Sequence, residues 1–259
     1  MIRRALVATA ICAQIAAVAA AQDGSVDVEV STAFNTKYIW NGFDRLASRG
    51  LETGPVMQPR VDVAIASSPL HAHVGGSFVM NNESELHETT YGVYLHRATS
   101  PLASATFGYN FYDDRVALDG FDNTADLHEI WGSVVMRSTV GTRTQFTAKY
   151  ENPAAEGHGS FTVVVGEIGY NVPVVPMVSA RGFGLELDTS TAVVYTSGMK
   201  VQDIETVDGG VSAWQVGVAS NILTGSVRIR PSVHYQVTFK DTVNDRNPFW
   251  AGVDIAYAF

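Results

Sequence analysis

The chain has 259 residues, 46% hydrophobic and 17% charged, with 26 Asp and Glu against 17 Lys and Arg for a formal charge of -9. That acidic excess argues against a nucleic-acid partner. After residue 21 no run approaches the roughly 20 apolar residues of a membrane-crossing helix, which excludes a helical bundle in the bilayer.

Residues 1–21 read as a secretory signal peptide: Arg3 and Arg4 make a positive start, Ala5 to Val18 is an apolar run, and Ala19-Ala20-Ala21 before Gln22 offers a cleavage site. Cleavage there removes the one cysteine, Cys12, so no disulfide or thiolate metal site is expected in residues 22–259. It also removes two arginines and moves the formal charge from -9 to -11.

Residues 22–259 alternate apolar and polar side chains in twelve stretches, the period of a strand with two different faces. The first runs from Val26 to Trp40, with Val28, Val30, Phe34, Tyr38 and Trp40 on one face and Asp27, Glu29 and Lys37 on the other, and a polar loop from Asn41 to Gly54 follows. Strand two covers Val56 to Ala66 and turns at Ser67-Ser68-Pro69. Strand three, Leu70 to Met80, carries His71 and His73 on its polar face. Strand four is placed at Leu86 to Ala98 and strand five at Leu102 to Tyr112, ahead of an acidic loop from Asp113 to Asp126.

Strand six, Leu127 to Arg137, turns at Val140-Gly141 into strand seven, Thr142 to Tyr150. Strand eight, Ser160 to Tyr170, is expected to stop short of Pro173 and Pro176, because a proline cannot donate to a central ladder. Strands nine, ten and eleven are placed at Phe183 to Thr196, Val211 to Ser220 and, after a turn at Asn221 to Gly225, Val227 to Phe239. The twelfth ends the chain, with Phe249, Ala251, Val253, Ile255, Tyr257 and Phe259 on one face.

The connections alternate short and long, so every long one is expected at the same end. A soluble sandwich has no reason to sort its loops this way; a transmembrane barrel does. The fold class predicted is therefore all-β, a single antiparallel transmembrane β-barrel of about twelve strands over residues 22–259. Trp40, Trp131, Trp214 and Trp250 are expected near the outer rim, with Trp131 and Trp250 able to point inward, and Tyr170, Tyr257 and Phe259 near the inner rim, as aromatic girdles.

A strand that ends on Phe259 after alternating apolar residues resembles the last strand of bacterial outer-membrane barrels, and the resemblance implies an assembly signal read by the barrel-assembly machinery. Thr36-Lys37-Tyr38-Ile39-Trp40-Asn41-Gly42-Phe43-Asp44 resembles the close of the first strand in the small TorF-like porins, where a tyrosine, a second aromatic and a glycine end the strand; Asn41 departs from the pattern, standing where a basic residue is expected. This resemblance implies a barrel in the bacterial outer membrane, among its lipids, with a channel role.

If the apolar face meets lipid, the polar face lines the lumen. The phase puts Lys37, Arg60, Arg143, Lys149, Arg228 and Arg230 inside with Asp27, Glu29, Asp62, Glu88, Glu129, Glu167, Glu186, Asp188 and Asp254. Arg60, Asp62, Arg228, Arg230, Asp254, Asp27 and Glu29 form an arc near the inner end. That arc reads either as a constriction that selects small hydrophilic solutes or as ion pairs that fill a non-conducting structural or adhesive barrel.

His71 and His73 share a face and read as lumen polar residues rather than metal ligands. The loop acids Asp113, Asp114, Asp119, Asp122 and Asp126 lack EF-hand spacing. His158 and Ser160 put a base and a nucleophile close in sequence, with no third residue to orient them, so a lipid-modifying enzyme is the more distant alternative. No catalytic residue, metal or cofactor is expected.

Overall fold

The computed structural model describes residues 26–44, 54–65, 68–80, 86–116, 126–154, 159–176, 182–201, 204–207, 209–239 and 247–259. The expected signal peptide with Cys12, together with Asp119, Asp122 and His158, lies outside them.

Twelve strands close into one antiparallel barrel. They are β1 (Val26–Asn35), β2 (Val56–Ile65), β3 (Leu70–Val79), β4 (Leu86–Ser100), β5 (Ala103–Val116), β6 (Leu127–Arg137), β7 (Thr142–Pro153), β8 (Phe161–Val175), β9 (Phe183–Thr196), β10 (Gly210–Thr224), β11 (Val227–Thr238) and β12 (Phe249–Ala258). Sequence neighbours are wall neighbours throughout, and β12 closes on β1 with Tyr257 opposite Val30 and Asp254 opposite Ala33. The Phe259 amide donates to the Val28 carbonyl at 2.9 Å, so pairing continues to the last residue. Closure leaves no sheet edge, the condition for a strand structure to persist in hydrocarbon.

The alternation sorts cleanly. Phe107, Tyr109, Ile130, Phe146, Ile168, Val193, Val218 and Val233 stand exposed on the outer surface, while the residues between them face inward. An exposed apolar belt of this kind is unfavourable in water and favourable in lipid.

Four strand ends differ from expectation by four residues or more. β1 stops at Asn35 rather than Trp40: Thr36 still bonds Ala251 of β12, at 2.9 and 3.1 Å, and the chain then leaves the wall and pairs with itself as Ile39–Trp40 against Phe43–Asp44. β8 continues through Pro173 to Val175, with a register shift between Pro173 and Val175 that absorbs the proline near the rim. β5 runs on to Val116, so Asp113 and Asp114 belong to a strand and not to a loop. β10 reaches Thr224, which moves its turn to Gly225 and Ser226. The β8–β9 connection, 176–182, is therefore longer than the 80–85 loop on the opposite rim, and the sorting of connections is a tendency rather than a rule.

Candidate functional site: the lumen

Two different interiors lie inside one wall. Towards the short-turn rim the inner face is charged. Arg228 on β11 reaches over β12 to place Nη2 3.2 Å from Glu29 Oε1 on β1 and 3.7 Å from Asp254 Oδ1 on β12. Arg230 reaches over β10 to Asp188 Oδ2 at 3.1 Å. Arg143 pairs with Glu167 on the adjacent strand. Arg60 donates twice to Asp62, two residues along β2, at 2.6 Å each, and the Tyr94 hydroxyl donates to the same carboxylate at 3.3 Å. Higher up, Lys149 Nζ lies 2.9 Å from Glu129 Oε2; Glu129, only 1% exposed, also accepts from Asn110 at 2.6 Å and Tyr112 at 3.2 Å.

These pairs surround open space. A cavity of about 560 Å³ is lined by Asn35, Arg143, Asp188, Arg228, Arg230 and Asp254 among others. A second, of about 620 Å³, is lined by Asp27, Glu29, Arg60, Asp62, Tyr94 and Arg228 among others. They meet at Arg228.

Rings lie flat against the wall where a glycine faces them across the ladder. His73 is opposite Gly92 and His234 opposite Gly217, and a Cβ on either glycine would stand 2.2 and 2.5 Å from the imidazole. His71 stacks on Tyr94 with ring centroids 4.7 Å apart. Among the described residues no group of three or more His, Cys, Asp or Glu is placed to hold an ion.

Towards the other rim the lumen is packed. After Thr36 the chain folds inward and makes a small hairpin, Ile39–Trp40 pairing with Phe43–Asp44 around Asn41 and Gly42. Both turn residues have positive φ, 50° and 87°, the left-handed pair that a tight two-residue turn demands. Tyr38 packs on Val56 and Val79 and donates to Glu88 at 2.5 Å. Trp40 stands edge-on to Tyr112 and to Phe161, centroids 6.3 and 6.4 Å away. Asn41 donates to Glu151 at 3.1 Å, and Gln236, fully buried, donates to the Gly42 carbonyl at 2.7 Å.

The inner faces of β8 to β10 are apolar here, with Phe161, Val163, Val194 and Ala213 forming a buried cluster against Trp40. This blurs the alternation of strand eight in the sequence. The Asn-Gly pair between Trp40 and Phe43 is the one sequence signal that marks the hairpin.

Of the tryptophans expected at the rim, Trp40 belongs to this packed interior. Trp250, 9% exposed, stacks on the lumen ring of His234 at 5.0 Å, and Trp131 lies against Tyr94 inside the wall. Only Trp214 faces out, its Nε1 donating to Thr191 at 2.7 Å. Tyr170, Tyr257 and Phe259 are all exposed on the outer surface, and the last two rings touch edge to face at 4.6 Å. Ser160 donates to Asn152 at 2.6 Å.

No protein-family model and no curated relative matches the chain. Solved structures do. The COG4313 outer membrane channel from Pseudomonas putida F1 superposes with a TM-score of 0.60 at 8% identity, covering 92% of this chain and 97% of that one. The KdgM porin in complex with oligogalacturonate gives 0.53 at 8% identity, over 90% and 99% of the two chains. The NanC porin gives 0.52 at 7%, over 89% and 98%. The chain has the fold of an outer-membrane β-barrel. At these identities the likeness is one of fold, and the lumen described above is this chain's own.

Proposed function

We propose that the barrel is a porin-like channel through which small hydrophilic solutes diffuse passively, with the charged inner half of the lumen setting the preference among them. The observation that carries this reading is the direction of the ion pairs. Each pair in the inner half joins groups on one strand or on strands no more than two apart: Arg228 with Glu29 and Asp254, Arg230 with Asp188, Arg143 with Glu167, Arg60 with Asp62. Such pairs run along the wall. Charges that filled a structural barrel would brace it across its diameter, and they would exclude the cavities that meet at Arg228.

A water-filled path removes most of the solvation cost of crossing, and no covalent step or cofactor is needed. Opposed charges along the wall orient dipolar and charged solutes, so Arg60, Asp62, Asp27, Glu29, Arg228, Arg230 and Asp254 are the selecting residues in this reading. The three solved structures named above are one channel and two porins, which agrees with it. The outward rings of Tyr170, Tyr257 and Trp214 would meet lipid, and β12 with Phe259 would be presented to the barrel-assembly machinery.

The test is single-channel current from the folded protein in a planar bilayer under a salt gradient. Discrete steps whose reversal potential moves in Arg228→Ala and Arg230→Ala support the proposal. An inserted, folded barrel that stays silent even after residues 37–44 are replaced by a Gly-Ser linker would sink it and favour a non-conducting structural barrel.

A further inference from the structure

We propose that the hairpin formed by Tyr38–Asp44 is a gate: its inward position closes the outer half of the pore, and its release as a unit opens it. This inference rests on the channel reading above.

The first argument is how far around the wall the segment reaches. Tyr38 meets Val56, Val79 and Glu88 of β2, β3 and β4. Trp40 meets Tyr112 of β5 and Phe161 of β8. Asn41 is tied to Glu151 of β7, and Gly42 lies beside Val194 of β9 and Ala213 of β10 while its carbonyl accepts from Gln236 of β11. A segment that leaves β1 and touches β2 to β5 and β7 to β11 spans the bore. Here, in contrast to the inner half, bonds do cross the lumen.

The second argument is how it is held. The two short strands pair with each other and form a sheet separate from the barrel, so no wall ladder runs through them. The named attachments to the wall are side-chain hydrogen bonds, two of them to the buried carboxylates of Glu88 and Glu151, together with aromatic edges and apolar packing; none of these is a bond of the barrel ladder. The chain is fixed at Thr36, whose backbone and hydroxyl both engage Ala251, and this gives the segment a pivot at the wall. The wall itself is a closed ladder that cannot widen without breaking pairs, so an opening has to come from the hairpin. Burial of Tyr38 and Phe43 favours the closed position; hydration of the lumen and freedom of the segment favour the open one.

The experiment uses a crosslink. A Cβ built on Gly42 stands 3.5 Å from Ala213 Cβ, within the roughly 3.5–4.5 Å of a disulfide. The double variant Gly42→Cys, Ala213→Cys, studied in the planar bilayer with Gly42→Cys alone as control, should lose open time when oxidised, by about tenfold or more, and regain it on reduction. A Gly-Ser linker in place of residues 37–44 should conduct in larger or more persistent steps than the wild type. Because Gly42 has a φ of 87°, the crosslink could fail to form; Trp40→Ala and Gln236→Ala then decide, since loosening the closed position must raise the open fraction.

A confirmed crosslink that conducts alike oxidised and reduced would overturn the gate and leave the channel reading standing. So would Trp40→Ala and Gln236→Ala behaving as wild type. A linker variant that inserts and passes no current would overturn both.

Discussion

Trp131 lies flat over Gly108, the residue directly opposite it across the β5–β6 ladder, so closely that a Cβ on that glycine would stand 2.7 Å from the indole and 2.8 Å from Tyr94 Cβ. The glycine makes room for a ring that would otherwise project into the bore. Gly108→Ala is expected to push Trp131 off the wall and destabilise the barrel by about 1–3 kcal/mol, as overpacking does. Urea unfolding of the protein in detergent, followed by tryptophan emission, measures this, and an unchanged midpoint would refute the close fit.

Glu129 is buried, and Lys149 is its cation. Lys149→Met leaves a carboxylate inside the wall without a counter-charge and is expected to cost about 3–5 kcal/mol. Adding Glu129→Gln removes the stranded charge, so the double variant should recover most of that loss. A double variant as unstable as the single one would mean that the loss does not come from a stranded charge on Glu129.

Arg228 faces two carboxylates at partial exposure, which makes it weak as a stabiliser and strong as a local field. Arg228→Ala should change stability by less than about 1 kcal/mol. It should also shift the reversal potential towards cation preference, because Glu29 and Asp254 then stand unopposed. The shift should shrink as the salt concentration on both sides is raised, since mobile ions screen the site. A stability loss with no change of reversal potential would reverse these roles.

The outer face offers a separate check. Phe107 is 59% exposed in the apolar belt, and its neighbour Thr106 faces the lumen side. Phe107→Arg should destabilise the inserted barrel by about 2–4 kcal/mol if its position lies near the bilayer midplane. Thr106→Arg should cost much less. Equal losses, read from unfolding in lipid vesicles, would mean that Phe107 does not meet hydrocarbon.

The wall was legible in the sequence because a period of two is a local property: Val61 and Val63 against Arg60 and Asp62 declare their faces without reference to any other strand. The partners of the lumen charges were less so. Arg228 meets Asp254 on the adjoining strand as the phase suggests, but Arg230 reaches Asp188 two strands the other way, although Asp254 stands directly opposite it across the β11–β12 ladder. The hairpin was hidden for a different reason. Tyr38 and Trp40 keep the alternation of β1 after the chain has left the wall, so the pattern extends the strand while the Asn41-Gly42 turn reverses it. Phe161 and Val163 are apolar on the inner face because they receive Trp40, a requirement set about 120 residues away in the chain.

Closure by the last strand has a consequence for how the molecule is made. The wall is complete only when β12 pairs with β1, yet the segment it encloses follows directly on β1 and rests against strands β7 to β11. One of the earliest pieces of the chain to be synthesised therefore has to be in place, or still able to enter from the rim, when the latest piece seals the seam. The order of seam closure and hairpin docking is thus part of the folding problem of this chain, and a barrel sealed with the segment left outside would be a complete wall with a different interior.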